Sequence, residues 1–115
     1  MPRPPKLRRV SERPVIEGFI PNRLPPWGRQ EVVLPVEGFE ALRLSDFEGL
    51  DQERAAGCMD VSRQTYGRIL SAARRTVAEA LVLGKFLRIE GGSFETPAPG
   101  PRGRHGRRWG KHFKI

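Results

Sequence analysis

Arg63, Gln64, Thr65 and Arg68 are the side chains of this 115-residue chain whose types and spacing fit a definite chemistry. A guanidinium donates paired hydrogen bonds to O6 and N7 of guanine, and a primary amide matches N6 and N7 of adenine, both in the major groove of a duplex. Arg63, Gln64 and Arg68 fall within two turns of one helix, so a single rod could carry them into that groove. Ser62 and Thr65 at its start would touch base edges or phosphates, and Arg74 and Arg75 would reach phosphates further along. Catalytic groupings do not accompany them. His105 and His112 lie in a tail rich in Pro, Gly and Arg, and Cys58 is the one cysteine. No nucleophile and base, paired carboxylates or phosphate-binding glycine loop precedes a helix, so no enzyme activity, cofactor or metal is expected.

Positioning these groups requires two short helices joined by a tight turn, and Asp51 to Leu70, D-Q-E-R-A-A-G-C-M-D-V-S-R-Q-T-Y-G-R-I-L, reads as that. Ala55, Met59, Tyr66 and Ile69 recur at helical spacing on the inner faces, and Val61 fills the angle between the helices. Ala56 stands where the helices cross, and a larger side chain there would push the axes apart. Asp60 occupies the turn position that calls for positive φ, a slot Gly fills most easily and Asp or Asn next. Ser62 and Asp51 are the expected N-caps of the two helices. Together these features give the grammar of a DNA-binding helix-turn-helix.

The rest of the chain supplies support. A helix is expected from Pro35 to about Phe47, with Phe39, Leu42 and Phe47 inward and Gly49 ending it. The second motif helix continues past Leu70, because Tyr66, Ile69, Leu70, Ala73, Val77, Ala80 and Leu81 form one stripe to Leu83, with Gly84 as C-cap. Residues 14–34 read as an irregular covering segment, with extended pieces at Val15 to Ile20 and Glu31 to Leu34, and with Phe19, Ile20, Leu24 and Trp27 laid over the helical core. Lys85 to Glu90 reads as a short strand, whose partner is either one of those extended pieces or the same strand of a second subunit. The expected fold class is therefore mainly α: a three-helix helix-turn-helix core with an extended N-terminal segment, one short C-terminal strand and a disordered basic tail. Its divisions fall at 1–34, 35–95 and 96–115.

Charge is distributed unevenly. The formal net charge is +8, and residues 1–13 and 96–115 carry eleven of the 21 basic side chains but one of the 13 acidic ones. Two positive arms flanking a nearly neutral body suit a polyanionic partner. Lys6, Arg8 and Arg9 in the first arm and Arg102, Arg104, Arg107 and Arg108 in the second are the candidate accessory contacts to phosphates or the minor groove. Pro101 to Arg104, P-R-G-R, is similar to hook peptides that lay Arg in the minor groove of A·T-rich DNA, although His105 follows where such hooks continue with Pro. Trp109 and Phe113 among the basic residues could stack on exposed bases. The lone Cys58 makes no internal disulfide, no apolar run reaches membrane-spanning length, and the basic start leads into prolines rather than an apolar signal segment. A cytoplasmic location is expected.

Beyond the motif, M-P-R-P at the start, F-E-A-L-R-L-S-D-F-E-G-L at Phe39 to Leu50, S-R-Q-T-Y-G-R-I-L at Ser62 to Leu70, A-L-V-L-G-K at Ala80 to Lys85 and R-I-E-G-G at Arg88 to Gly92 carry a resemblance. Over roughly residues 1–95 the chain resembles a family of small prokaryotic proteins known as domain of unknown function 134, whose helix-turn-helix looks like the promoter-contacting region four of sigma-70-type factors. The resemblance implies DNA binding and no established reaction. Some relatives are joined to a domain similar to iron-molybdenum-cofactor-binding proteins, for which this chain has no room. It also has Leu7 where relatives often show Cys, and Asp51 with Arg54 where they often show Ser and Glu, a change that keeps the N-cap and loses the capping box.

The expected function is a DNA-binding transcriptional regulator acting on double-stranded DNA. A second class is an interaction module docking on RNA polymerase or another protein through the same face, and a third is RNA binding driven by the arms. Two-fold DNA sites would imply a homodimer, though the chain shows no clear zipper.

Overall fold

The computed structural model describes residues 7–96. In chain order they form strands β1 (Arg8–Arg9), β2 (Gly18–Phe19) and β3 (Glu31–Leu34), helix α1 (Val36–Leu42) running into a wide π-helical turn (Arg43–Phe47), helices α2 (Gln52–Cys58) and α3 (Arg63–Leu83), and strands β4 (Phe86–Ile89) and β5 (Phe94–Glu95). Three helices dominate, but the five short strands correct the expectation of a single C-terminal one. β4 pairs parallel with β3, from Glu31 opposite Phe86 to Leu34 opposite Ile89, and antiparallel with β2 on its other edge. Parallel neighbours need a long crossover, and here all three helices form it. Both expected extended pieces thus contribute a partner from within the chain. The β2 contact depends on Gly18, since a Cβ there would lie 2.3 Å from the Leu87 carbonyl oxygen.

Two apolar clusters make the core. Ala41, Leu44, Ala55, Ala56, Met59, Tyr66 and Leu70 pack the α1–α2–α3 junction, with Val61 and Ile69 half-buried against it. Leu34, Ala73, Ala80, Leu87 and Ile89 join α3 to the sheet. α1 crosses α3 closely because Gly38 faces Ala73, where a Cβ on Gly38 would come within 3.3 Å of the Ala73 Cβ.

Several side chains depart from their expected places. Phe47 is exposed and Leu44 takes the inward slot, because in the wide turn each residue advances less around the axis than a 3.6-residue period assumes. Leu81 points into solvent because Ala80 fills the last buried position of α3. Phe19, Ile20, Leu24 and Trp27 are likewise exposed, and the covering is done by Ile16, Val32 and Leu34. Pro21, Pro25 and Pro26 remove amide donors from the intervening stretch, so it runs outside the sheet.

The N-terminal arm is built into the fold from Leu7 onward rather than solvated. β1 pairs parallel with β5, Val10 is fully buried, and the Arg9 amide donates to the Met59 carbonyl at 2.9 Å, stitching this small sheet onto the end of α2. The disorder expected of residues 96–115 falls almost wholly outside the described residues, as do Lys6, Arg102, Arg104, Arg107 and Arg108.

Candidate nucleic-acid interface

The turn between α2 and α3 has the backbone its sequence calls for. Asp60 adopts φ 57°, the one non-glycine residue in the left-handed region among those described. Ser62 is extended, and its Oγ accepts from the Thr65 amide at 3.0 Å while donating to Thr65 Oγ1 at 3.0 Å. The cap therefore occupies the Ser62 hydroxyl and leaves Thr65 its own proton to donate outward. At the first helix Asp51 Oδ1 accepts from the Arg54 amide at 2.8 Å. Each such cap stabilises its helix by about 1 kcal/mol. Gly84, at φ 66°, closes α3.

Tyr66 fixes how α3 is rotated. It is fully buried, and its phenol donates to the Ala41 carbonyl at 2.9 Å and meets the Ser45 hydroxyl. Burial pushes its pKa up, against a lowering by the Ser45 hydrogen bond. With Tyr66, Leu70 and Ala73 turned inward, Gln64, Arg68 and Arg75 are exposed on the opposite side, Arg63 is exposed as the first residue of the helix, and none of the three arginines makes a side-chain ion pair among the described residues. Gln64, Arg68 and Arg75 line a shallow groove floored by Gly67, Ser71 and Ala72.

Arg74 is placed differently. Asp46, in the π-helical turn, accepts from its Nη2 at 2.7 Å and its Nε at 3.1 Å. This hydrogen-bonded pair holds the Asp46 carboxyl below its ordinary range and the Arg74 guanidinium above its own. One predicted cation is thus largely neutralised, a pairing across 28 residues that no local pattern announces.

Arg8 and Arg9 come to the same end of the molecule. Arg8 lines a crevice with Asp60, Val61, Ser62 and Thr65, so the N-terminal strand lies against the start of α3. A second network missed in the sequence holds that strand down. Glu40 is 2% exposed and accepts from Arg43 Nε and Nη2 at 2.9 Å each, from the Ser11 amide at 3.1 Å and from the Ser11 hydroxyl at 2.8 Å. Arg43 also reaches Glu48 at 3.1 Å. Burial opposes the Arg43 charge, but the two carboxylates outweigh it and raise its pKa. The i, i+3 spacing of Glu40 and Arg43 was visible; the third partner, Ser11, was not.

A cleft of about 320 Å³ opens between the sheet and α1, with Phe19, Phe39, Leu42, Val77 and Leu87 among its walls. Its charged rim groups, Arg43 and Asp46, are both already engaged by partners of opposite charge. Among the described residues no three His, Cys, Asp or Glu are grouped to hold a metal ion, and no helix is long and apolar enough to cross a membrane.

A capped helix with a cationic and amide-bearing outer flank, crossing two shorter helices and backed by a three-stranded sheet, defines the class of protein. The chain belongs to the family described as protein of unknown function DUF134, whose profile matches residues 1–97. It is 47% identical over 116 residues to the UPF0251 protein of Thermoanaerobacter pseudethanolicus, covering 96% of this chain and 98% of that one. It is 54% identical over 95 residues to a UPF0251 protein of Desulforudis audaxviator, covering 83% of this chain and 62% of that one. No solved structure matches the chain.

Proposed function

We propose that the protein is a sequence-selective DNA-binding transcriptional regulator, working without catalysis in the cytoplasm, and that α2 and α3 act as a helix-turn-helix similar to sigma-70 region four. The observation that carries this reading is the start of α3: Arg63 at its first position and Gln64 and Arg68 on its outer flank stand exposed in the first two turns, without an ion pair among the described residues, beside the turn in which Asp60 takes positive φ. On this reading Arg63, Gln64 and Arg68 contact base edges, Thr65 donates to a base edge or phosphate, and Arg75 contacts the backbone.

The charge distribution supports it. Residues 7–96 hold thirteen basic and all thirteen acidic side chains, so the whole surplus of +8 lies in 1–6 and 97–115. Selectivity would then come from α3, and most of the salt-sensitive affinity from the two ends.

Selection of bound sequences from a random duplex library tests the proposal, with Gln64→Ala as its internal control. A site should emerge, and the variant should lose preference at one base pair, at a cost of about 1 to 3 kcal/mol. Equal weakening on the selected site and on scrambled DNA would remove Gln64 from the reading face. Pull-down from nuclease-treated lysate separates this reading from docking on RNA polymerase, since a protein partner survives the nuclease. Competition by single-stranded RNA tests the RNA alternative.

A further inference from the structure

Far from the turn, the last turn of α3 is apolar and uncovered. Leu81 is 78% exposed and Val82 77%, and beside them lie Leu83 and the segment carrying Leu24 and Trp27, each of these two 60% exposed. That segment is held in place. The Trp27 indole donates to the Leu83 carbonyl at 2.8 Å, and the Pro25 ring packs 3.4 Å from the position a Cβ on Gly84 would take. The nearby Lys85 is engaged by Glu79 at 2.6 Å. For side chains of ordinary size, the five leave roughly 600 Å² of apolar surface, at the upper end for a monomer and most of the roughly 800 Å² each partner contributes to a standard interface.

We infer that this end of the molecule is the contact surface of a homodimer, with Trp27 of one copy lying against Leu81 and Val82 of the other about a two-fold axis. A second copy fits because such a patch is self-complementary when flat aromatic and branched aliphatic groups sit side by side on a fixed backbone. Charge does not oppose it, since residues 7–96 carry equal numbers of acidic and basic side chains. The positive segments leave that body at Leu7 and Thr96, on the β1–β5 pair stitched to Met59. That pair lies beside the start of α3, and the 21 residues of α3 put about 32 Å between its two ends. A nucleic acid or an anionic membrane would need cations within the patch, whereas the two exposed arginines of this segment, Arg23 and Arg29, flank it, and Arg29 lies over the Phe86 ring at 4.7 Å. The dimer stands whether or not the protein binds DNA.

Sedimentation of the full chain in nucleic-acid-free buffer, over a hundredfold range of concentration, tests this. Carrying Trp109→Phe leaves Trp27 as the sole tryptophan reporter. The mass should double with concentration while Trp27 emission shifts to the blue, and Leu81→Asp with Val82→Asp should weaken both effects at least tenfold. Both residues project into solvent, so the substitutions leave the core as it is, which unchanged far-ultraviolet dichroism would verify. A monomer at every concentration would overturn the inference, as would a dimer indifferent to the two aspartates. So would a blue emission independent of concentration and lost on deleting residues 97–115, because the chain's own tail would then be the cover.

Discussion

The Glu40 network allows a prediction with a worked magnitude. Glu40→Gln retains shape and removes charge. At the Oε2 position the carboxylate meets three donors, the Ser11 amide, the Ser11 hydroxyl and Arg43 Nη2, whereas at Oε1 it meets one, Arg43 Nε. The amide will therefore turn its oxygen toward the three donors and its NH₂ toward Arg43 Nε. One charge-assisted hydrogen bond is lost and the rest become neutral-acceptor bonds, a cost of about 1.5–3 kcal/mol. Glu40→Ala removes all four acceptor contacts and leaves Arg43, whose side chain is 13% exposed, facing Glu48 without the buried carboxylate, so about 3–5 kcal/mol is expected. In a domain of this size each kcal/mol lowers the Tm by about 4–8 °C, and the alanine variant approaches the whole stability of a marginal fold.

Urea unfolding followed by far-ultraviolet dichroism measures both costs, and a cycle with Arg43→Met isolates the pair. Hydrogen exchange adds a local readout. The Val10 amide, which donates to the Glu95 carbonyl at 2.9 Å, should lose protection in Glu40→Gln beyond what the global loss explains, because Ser11 then anchors the strand through weaker bonds to a neutral acceptor. A Gln variant within 0.5 kcal/mol of the parent, roughly the range of a surface substitution, with Val10 protection intact would refute the network as the clamp on the N-terminal strand.

Other expectations follow from the same geometry. Tyr66 is the chain's one tyrosine, and burial raises its pKa, so its contribution to stability is complete below the unfolded value of about 10 and is lost as pH rises through the higher folded value; tyrosinate absorbance should appear together with loss of helical dichroism. Asp46→Asn should free Arg74, tighten duplex binding and steepen the dependence of log affinity on log salt by about one unit, while costing at most about 1 kcal/mol of stability because the pair is exposed. In the parent, acid does the same: the Asp46 contribution is present above its ordinary pKa and is lost as pH falls through its depressed folded value. Ala56→Leu should destabilise by about 1–3 kcal/mol through overpacking between α2 and α3, measured by thermal unfolding. Deleting residues 97–115 removes six cations and should flatten the salt slope by up to about five units; an unchanged slope would discard that segment as a phosphate contact.

What the sequence disclosed and what it concealed divide by range. The N-caps Asp51 and Ser62, the positive φ of Asp60, the C-cap Gly84 and the inward rotation of Tyr66 and Leu70 were legible because each is settled within about four residues, by a side chain reaching its own backbone or by helical period. Three features were not, and each depends on groups far apart in the chain. β1 found its partner 86 positions away, and two-residue strands carry no alternation to read. The Asp46–Arg74 pair depended on the π-helical turn, which also sent Phe47 outward. The covering segment has the apolar content of a lid, but the sheet is covered by Ile16, Val32 and Leu34, leaving Leu24 and Trp27 outside.

These two classes meet at α3. Local rules decide which of its flanks faces outward near Ser62, and so which side chains are offered to a ligand. Long-range pairing decides how much charge that flank keeps, because Asp46 withdraws Arg74 from a row that the helix alone would present. A reading from helical period alone therefore overestimates the cationic strength of the face by one residue in four of its arginines, Arg63, Arg68, Arg74 and Arg75. The salt slope of the parent against Asp46→Asn measures that one missing charge directly.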